Sequence, residues 1–177
     1  MLLSLQQKYI LEVLRKLGCI RQDQLYVLVR SKFQSPNFEV SDARMESMLR
    51  QLRSGLGDFH VDGDFVYLTQ GQPNTSRLEA VSVMLELSKG TPQDFTTKVE
   101  APRLIRFTLG GDKLKLFSVA LLVHISDPQQ FQREWWERIV WINDSGAPPK
   151  ELVLPPKHFF AARKPDGSHC FYGSNEP

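Results

Sequence analysis

Residues 41–68 read SDARMESMLRQLRSGLGDFHVDGDFVYL. Ser41 offers a hydroxyl to cap a helix N-terminus, and Asp42 puts a carboxylate in the first turn, where the helix dipole favours it. Met45, Met48, Leu49 and Leu52 then recur at i, i+3, i+4 and i+7, the stripe of an amphipathic helix closed by Gly55. Beyond it, Phe59, Val61, Phe65 and Tyr67 alternate on either side of Asp62-Gly63, a dipeptide that tolerates the positive φ of tight hairpin turns. The stretch therefore predicts a helix followed by a β-hairpin.

Upstream, Ile10, Val13, Leu14 and Leu17 form another helical stripe, with Gly18 where a left-handed C-cap falls, so a first helix is predicted from about Ser4 to Leu17. After Cys19 and Ile20, a second helix from about Gln22 to Ser31 carries Leu25, Leu28 and Val29, with Asp23 in its first turn. Gln34 to Val40, containing Ser35, Pro36 and Asn37, reads as a loop. Three helices followed by a hairpin is the order of a winged helix-turn-helix, whose common use is binding duplex DNA.

In that docking mode the third helix offers a groove the face opposite its core stripe. At 100° per residue this face is Ala43, Ser47, Arg50 and Ser54, flanked by Arg44, Gln51, Glu46 and Arg53. Arg44, Ser47, Arg50, Gln51, Arg53 and Ser54 are the expected DNA-binding residues. Arg50 leads them, because a guanidinium meets guanine or phosphate bidentately. Arg21, Arg30 and Lys32 are expected to reach phosphates, with Lys8, Arg15 and Lys16 as further basic residues of the first two helices. The hairpin departs from this pattern: Asp58, Asp62 and Asp64 are its only charged residues apart from histidine, and a phosphate backbone repels them. An adaptor that docks a protein through this acidic hairpin is the alternative.

Composition sets the frame. Across 177 residues, 22 Lys and Arg face 20 Asp and Glu, for a net charge of +2, so bulk electrostatics cannot carry nucleic-acid binding and a local patch must. Cys19 and Cys170 lie far apart with no metal-ligand spacing, which suggests a reducing, cytoplasmic setting. Leu2, Leu3 and Leu5 lack a basic lead-in and are broken by Gln6, Gln7 and Lys8, unlike a signal peptide. The longest apolar stretch, Leu116 to Val123, falls well short of the roughly 20 residues of a membrane helix. No membrane association is expected.

Gln70 to Ser76 reads as a linker, dividing residues 1–71 from a C-terminal α/β domain over 72–177. That domain is expected to open with a helix over Leu78 to Leu87, followed by strands over Leu104 to Leu109 and Lys113 to Ile125. Asp127 and Pro128 start a helix running to Glu137 and carrying Trp135 and Trp136, one in the core and one partly exposed. Strands then follow at Ile139 to Ile142 and briefly at Leu152 to Leu154, and a hairpin at His158 to Tyr172 turns on Pro165-Asp166-Gly167. The fold class is α+β, with a mixed sheet in the second domain.

The same element order occurs in restriction-endonuclease-like folds. Cleavage there needs an acid-x-Lys pair that Lys113 to Ile125 lacks, so a metal-dependent nuclease using Asp112 is the least favoured reading. His158, His169 and Cys170 are a weak zinc set. No phosphate loop or nucleophile motif is present, and the expectation is a protein without catalytic residues, metal or cofactor.

The segment LGCIRQDQL from Leu17 to Leu25, the Asp62-Gly63 hairpin, and a tail in which RIVWIND precedes HFFAARKPDGSHCFYG resemble winged-helix proteins of bacterial plasmids and conjugative elements, akin to replication-relaxation proteins. The resemblance spans most of the chain and includes no catalytic signature. It implies DNA binding linked to replication, mobilisation or transcriptional control of a mobile element. Double-stranded DNA is then the expected partner, with protein contacts through the C-terminal domain and two-fold assembly as in many winged-helix binders.

Overall fold

The computed structural model describes residues 2–123 and 127–174. It is a mixed α+β structure with four helices and two sheets, one of them mixed. The chain divides into two compact units, Met1–Leu78 and Glu79–Pro177. No helix among the described residues is long and apolar enough to cross a membrane.

In the first unit, α1 spans Leu5–Leu17, β1 Cys19–Arg21, α2 Gln22–Phe33, α3 Asp42–Gly55, β2 Phe59–Asp62 and β3 Phe65–Leu68. The serine caps form as expected, whereas Gly55 lies inside α3 and Leu56 is its C-cap. The Ser4 hydroxyl accepts the Gln7 amide N–H while the Gln7 side chain accepts that of Ser4, and Gly18 ends α1 at φ 80°. Ile10, Val13, Leu14, Leu25, Leu28, Met45, Leu49 and Leu52, each at most 3% exposed, fill the core with Ile20, Phe59 and Val66.

Two local features differ from expectation. Cys19–Arg21 is a strand rather than a plain link, pairing antiparallel with β3 in a sheet ordered β1-β3-β2. Asp62 pairs with Phe65, so the hairpin turns on Gly63-Asp64, with Gly63 at φ 54° in the first central position. That is the site where a primed turn needs glycine, one residue later than the Asp62-Gly63 reading. Gly71 is constrained differently, because a Cβ there would lie 2.0 Å from the Gly18 carbonyl oxygen, closer than any side chain permits.

Helix α4, Thr75–Leu87, spans the division. The second unit continues with β4 Asp94–Thr96, β5 Arg103–Leu109, β6 Lys115–Leu121, β7 Glu137–Ile142, β8 His158–Arg163 and β9 His169–Gly173. These strands pair in chain order. The β6-β7 and β7-β8 ladders are parallel and the others antiparallel. One face of the sheet packs Ala120, Ile139, Trp141 and Phe160 against Phe131, Leu152 and Leu154.

The expected helix from Asp127 to Glu137 does not form. Pro128–Gln130 make only a turn, and Glu137 is the first residue of β7. Leu152–Leu154 enter no strand; Leu152 and Leu154 pack against the core from a segment without regular structure. Trp135 and Trp136 are both exposed, at 75% and 45%, and the core indole is Trp141. The short strand β4, which buries only Phe95, was not anticipated. Of the expected strand over Lys113 to Ile125 only Lys115–Leu121 forms, with Leu122 and Val123 outside it, and the Ile125 end lies outside the described residues.

A polar clasp holds α4 to β8 and β9. Arg163 donates two hydrogen bonds to Glu79, at 3.1 and 2.6 Å. His169, its side chain 1% exposed, lies between Glu86 (Nδ1 to Oε1, 2.7 Å) and Glu79 (Nε2 to Oε1, 3.3 Å). Both ring nitrogens face carboxylate oxygens, an arrangement that favours the protonated imidazolium. Burial opposes that charge, but the two carboxylates outweigh it and raise the pKa of His169 above its ordinary 6.5. Burial likewise opposes the Glu79 carboxylate, yet His169 and Arg163 hold its pKa below the ordinary 4.5.

The signs give a stability band. The contribution of His169 is complete below 6.5 and lost as pH rises through its raised value, while that of Glu79 is complete above 4.5 and lost as pH falls through its lowered value. Urea midpoints followed across pH are therefore expected to be highest between these limits, with an alkaline limb that disappears in His169→Gln. An unchanged alkaline limb in that variant would remove His169 as its source.

Candidate nucleic-acid interface

Burial of Met45, Met48, Leu49 and Leu52 fixes the rotation of α3, so Ala43, Ser47, Arg50 and Ser54 face solvent, flanked by the exposed Arg44, Gln51 and Arg53. All six expected DNA-binding side chains thus lie on the outer surface of one helix, but their surroundings divide them. Ser47, Arg50 and Arg53 have no hydrogen-bond or ion-pair partner among the described residues. Arg44 rests over the Phe38 ring at 4.3 Å. The Gln51 side-chain Oε1 accepts from Gln7 Nε2 at 2.9 Å, and the Ser54 hydroxyl donates back to the Gln51 backbone carbonyl at 3.0 Å. Gln51 ties α3 to α1, a role its sequence position did not reveal because buried Gln7 lies 44 residues away.

The expected phosphate contacts are all engaged within the unit. Arg21 pairs with Asp23 at 3.1 Å. Arg30 pairs with Asp42 and donates to the Val40 carbonyl at 2.9 Å, bracing the loop that leads into α3. The Lys32 ammonium lies 4.0 Å from the Tyr9 ring centre. Both ion pairs are solvent-exposed, where such pairs contribute about 0–1 kcal/mol, so a phosphate can compete for these cations.

The hairpin is more firmly held than its sequence suggests. Gln22, the first residue of α2, donates its backbone N–H to the Asp64 carbonyl and its side-chain amide to the Gly63 carbonyl, both at 2.7 Å. Asp58, Asp62 and Asp64 are exposed, and none forms an ion pair among the described residues. The turn therefore presents negative charge on a braced backbone.

In the second unit, Asp112 sits exposed in the loop between β5 and β6. His158 and His169 do not converge. His158 accepts a hydrogen bond from Trp141 Nε1 at 3.0 Å, and burial with nearby Arg133 lowers its pKa to about 4, whereas His169 belongs to the α4 clasp. Among the described residues no three His, Cys, Asp or Glu side chains are grouped to hold a metal.

The buried carboxylate there is Glu137. It receives Arg103 through Nε and Nη2, each at 2.9 Å, as well as Arg106, the Ser118 hydroxyl and the Glu134 N–H. Burial opposes its charge, but these donors bring its pKa down to about 2. With its oxygens so occupied, Glu137 is a structural anion.

No family model matches this chain, and no curated protein or solved structure is detectably similar to it.

Proposed function

We propose that the first unit is a winged helix-turn-helix that binds duplex DNA through the exposed face of α3, in a protein that carries out no chemistry of its own. The element order supports the fold reading: three helices, a short strand between the first two, and a hairpin completing a three-stranded sheet. The observation that carries the functional reading is the pair Arg50 and Arg53, exposed on α3 beside Ser47 with no protein partner among the described residues. A surface helix that holds guanidiniums unpaired next to small side chains can approach a groove closely. In this reading the sequence resemblance to proteins of mobile elements supports a role in replication, mobilisation or transcriptional control, the sparse cysteines support a cytoplasmic setting, and no cofactor is proposed.

Arg50→Ala is expected to weaken duplex binding by about 1–3 kcal/mol, read by fluorescence anisotropy at low salt. Wild-type protein with no affinity for any duplex would refute the reading. The braced acidic turn favours one other reading, a protein adaptor. In that case Asp62→Lys with Asp64→Lys would abolish capture of a protein partner, and duplex affinity would be absent from the start.

A further inference from the structure

Trp135 and Trp136 are large apolar side chains set in solvent on a loop that is held rigidly. The guanidinium of Arg133 donates through one nitrogen to the carbonyls of Glu134, Trp135 and Glu137 at 2.9–3.2 Å. Buried Glu137 accepts the Glu134 N–H at 3.1 Å. From the turn just before β8, the Lys157 ammonium donates to the Trp135 carbonyl at 2.8 Å and lies 5.8 Å from the Trp135 ring.

Lys157 itself sits at φ 61°, a left-handed conformation that is strained for a residue with a Cβ, and its carbonyl accepts the Ile139 N–H at 3.0 Å. The indoles meet edge to face, with centres 5.3 Å apart and planes at 90°, which leaves ring faces open. Because the backbone that carries the pair is already held, little backbone freedom is left to lose on binding.

The charge around the loop favours an anionic occupant. The residues that lead into the tryptophans line a niche of about 410 Å³ in which Lys98, Arg103, Arg106 and Arg133 meet Glu100 and Glu134, and Arg103 and Arg106 also bond the buried Glu137, so that with the nearby Lys157 the cations still outnumber the carboxylates. Gln132, Arg133 and Glu134 of that lining immediately precede Trp135 and Trp136 in the chain. Cations along a groove with aromatic faces at its end are the means by which proteins hold single-stranded nucleic acid, through phosphates and stacked bases.

We infer that Trp135, Trp136 and Lys157, with the neighbouring basic niche, form a binding site for single-stranded nucleic acid. This goes beyond the duplex reading and uses none of the α3 residues.

The test is a titration of the intact chain with single-stranded oligo(dT) at low salt, following tryptophan emission. Trp141 is buried, so a response from stacked bases comes from the two exposed indoles. The expected result is salt-sensitive quenching. Affinity should fall about 5- to 100-fold in Trp135→Ala, fall also in Lys157→Ala, and be largely kept in Trp135→Phe, which retains a stacking face.

Arg50→Ala should leave this quenching unchanged, while Trp135→Ala should leave duplex binding unchanged, so the two readings fail separately. Absence of quenching by oligo(dT), or quenching that persists in the Trp135→Ala/Trp136→Ala double variant, would overturn the inference. So would quenching lost in Arg50→Ala, or indoles shielded from acrylamide by self-association in the absence of nucleic acid.

Discussion

Glu137→Ala is expected to cost the second unit about 3–5 kcal/mol, enough to remove most of the stability of an ordinary domain. The side chains of Glu137 and Arg103 are 0% and 13% exposed. Deleting the carboxylate leaves Arg103 in that dry setting facing the emptied site, removes the anion to which Arg106 is bonded, and frees the Ser118 hydroxyl and the Glu134 N–H at once. Uncompensated charge, rather than the loss of one ion pair, sets the size of the effect.

Urea denaturation of the variant should show an early transition, and Glu137→Gln, which keeps the shape but not the charge, should fall between it and wild type. The pH dependence follows in sign. The carboxylate is stabilising above its ordinary pKa of 4.5, and its contribution is lost only as pH falls through about 2. The gap between wild type and variant should therefore persist through mildly acidic solution. A midpoint for Glu137→Ala equal to wild type would mean that the arginines are not held as described.

Trp141→Ala should have a comparable effect, about 3–5 kcal/mol, for a different reason. Trp141 is fully buried, packs edge to face with Phe131 at 5.1 Å, and lies in the cluster with Ala120, Ile139 and Phe160. Its loss opens a cavity and also removes the donor to His158 Nδ1. Because the pKa of His158 is held at about 4, the ring is neutral near pH 7, and without the indole its Nδ1 is a buried acceptor with no donor. Trp141→Phe separates the two terms by restoring much of the volume without the N–H, and should recover part of the loss. Recovery to the full wild-type midpoint would show that the hydrogen bond contributes nothing.

These two residues also mark where the sequence was legible. Helices α1 and α3 were readable because their signals are local: the Ser4 and Ser41 caps, the Gly18 stop, and stripes that lie within one turn of each other. Asp127-Pro128 is an equally sound local signal for a helix start, and the Asp127 side chain does accept the Gln129 N–H. The helix nevertheless fails, because Glu137 is drawn into β7 by Arg103 and Ser118, respectively 34 and 19 residues earlier in the chain. Strand β1 was hidden for the same reason, since its partner β3 lies beyond two helices.

The candidate interface divides in the same way. Its outer face follows from the periodicity of α3. The tie between Gln51 and Gln7, the hold of Arg30 on Asp42, and the Gln22 brace on the hairpin all depend on contacts between elements. Trp135 and Trp136 looked like helix residues with one face in the core, and only the loss of that helix brings both into solvent.

The most direct test of duplex binding through α3 is backbone-amide NMR of the intact chain titrated with duplex DNA. The account predicts shift changes concentrated on Ala43, Ser47, Arg50 and Ser54 and the adjoining Arg53, fading as salt is raised. Changes confined to Asp58, Asp62 and Asp64, or no changes at any duplex concentration, would contradict it.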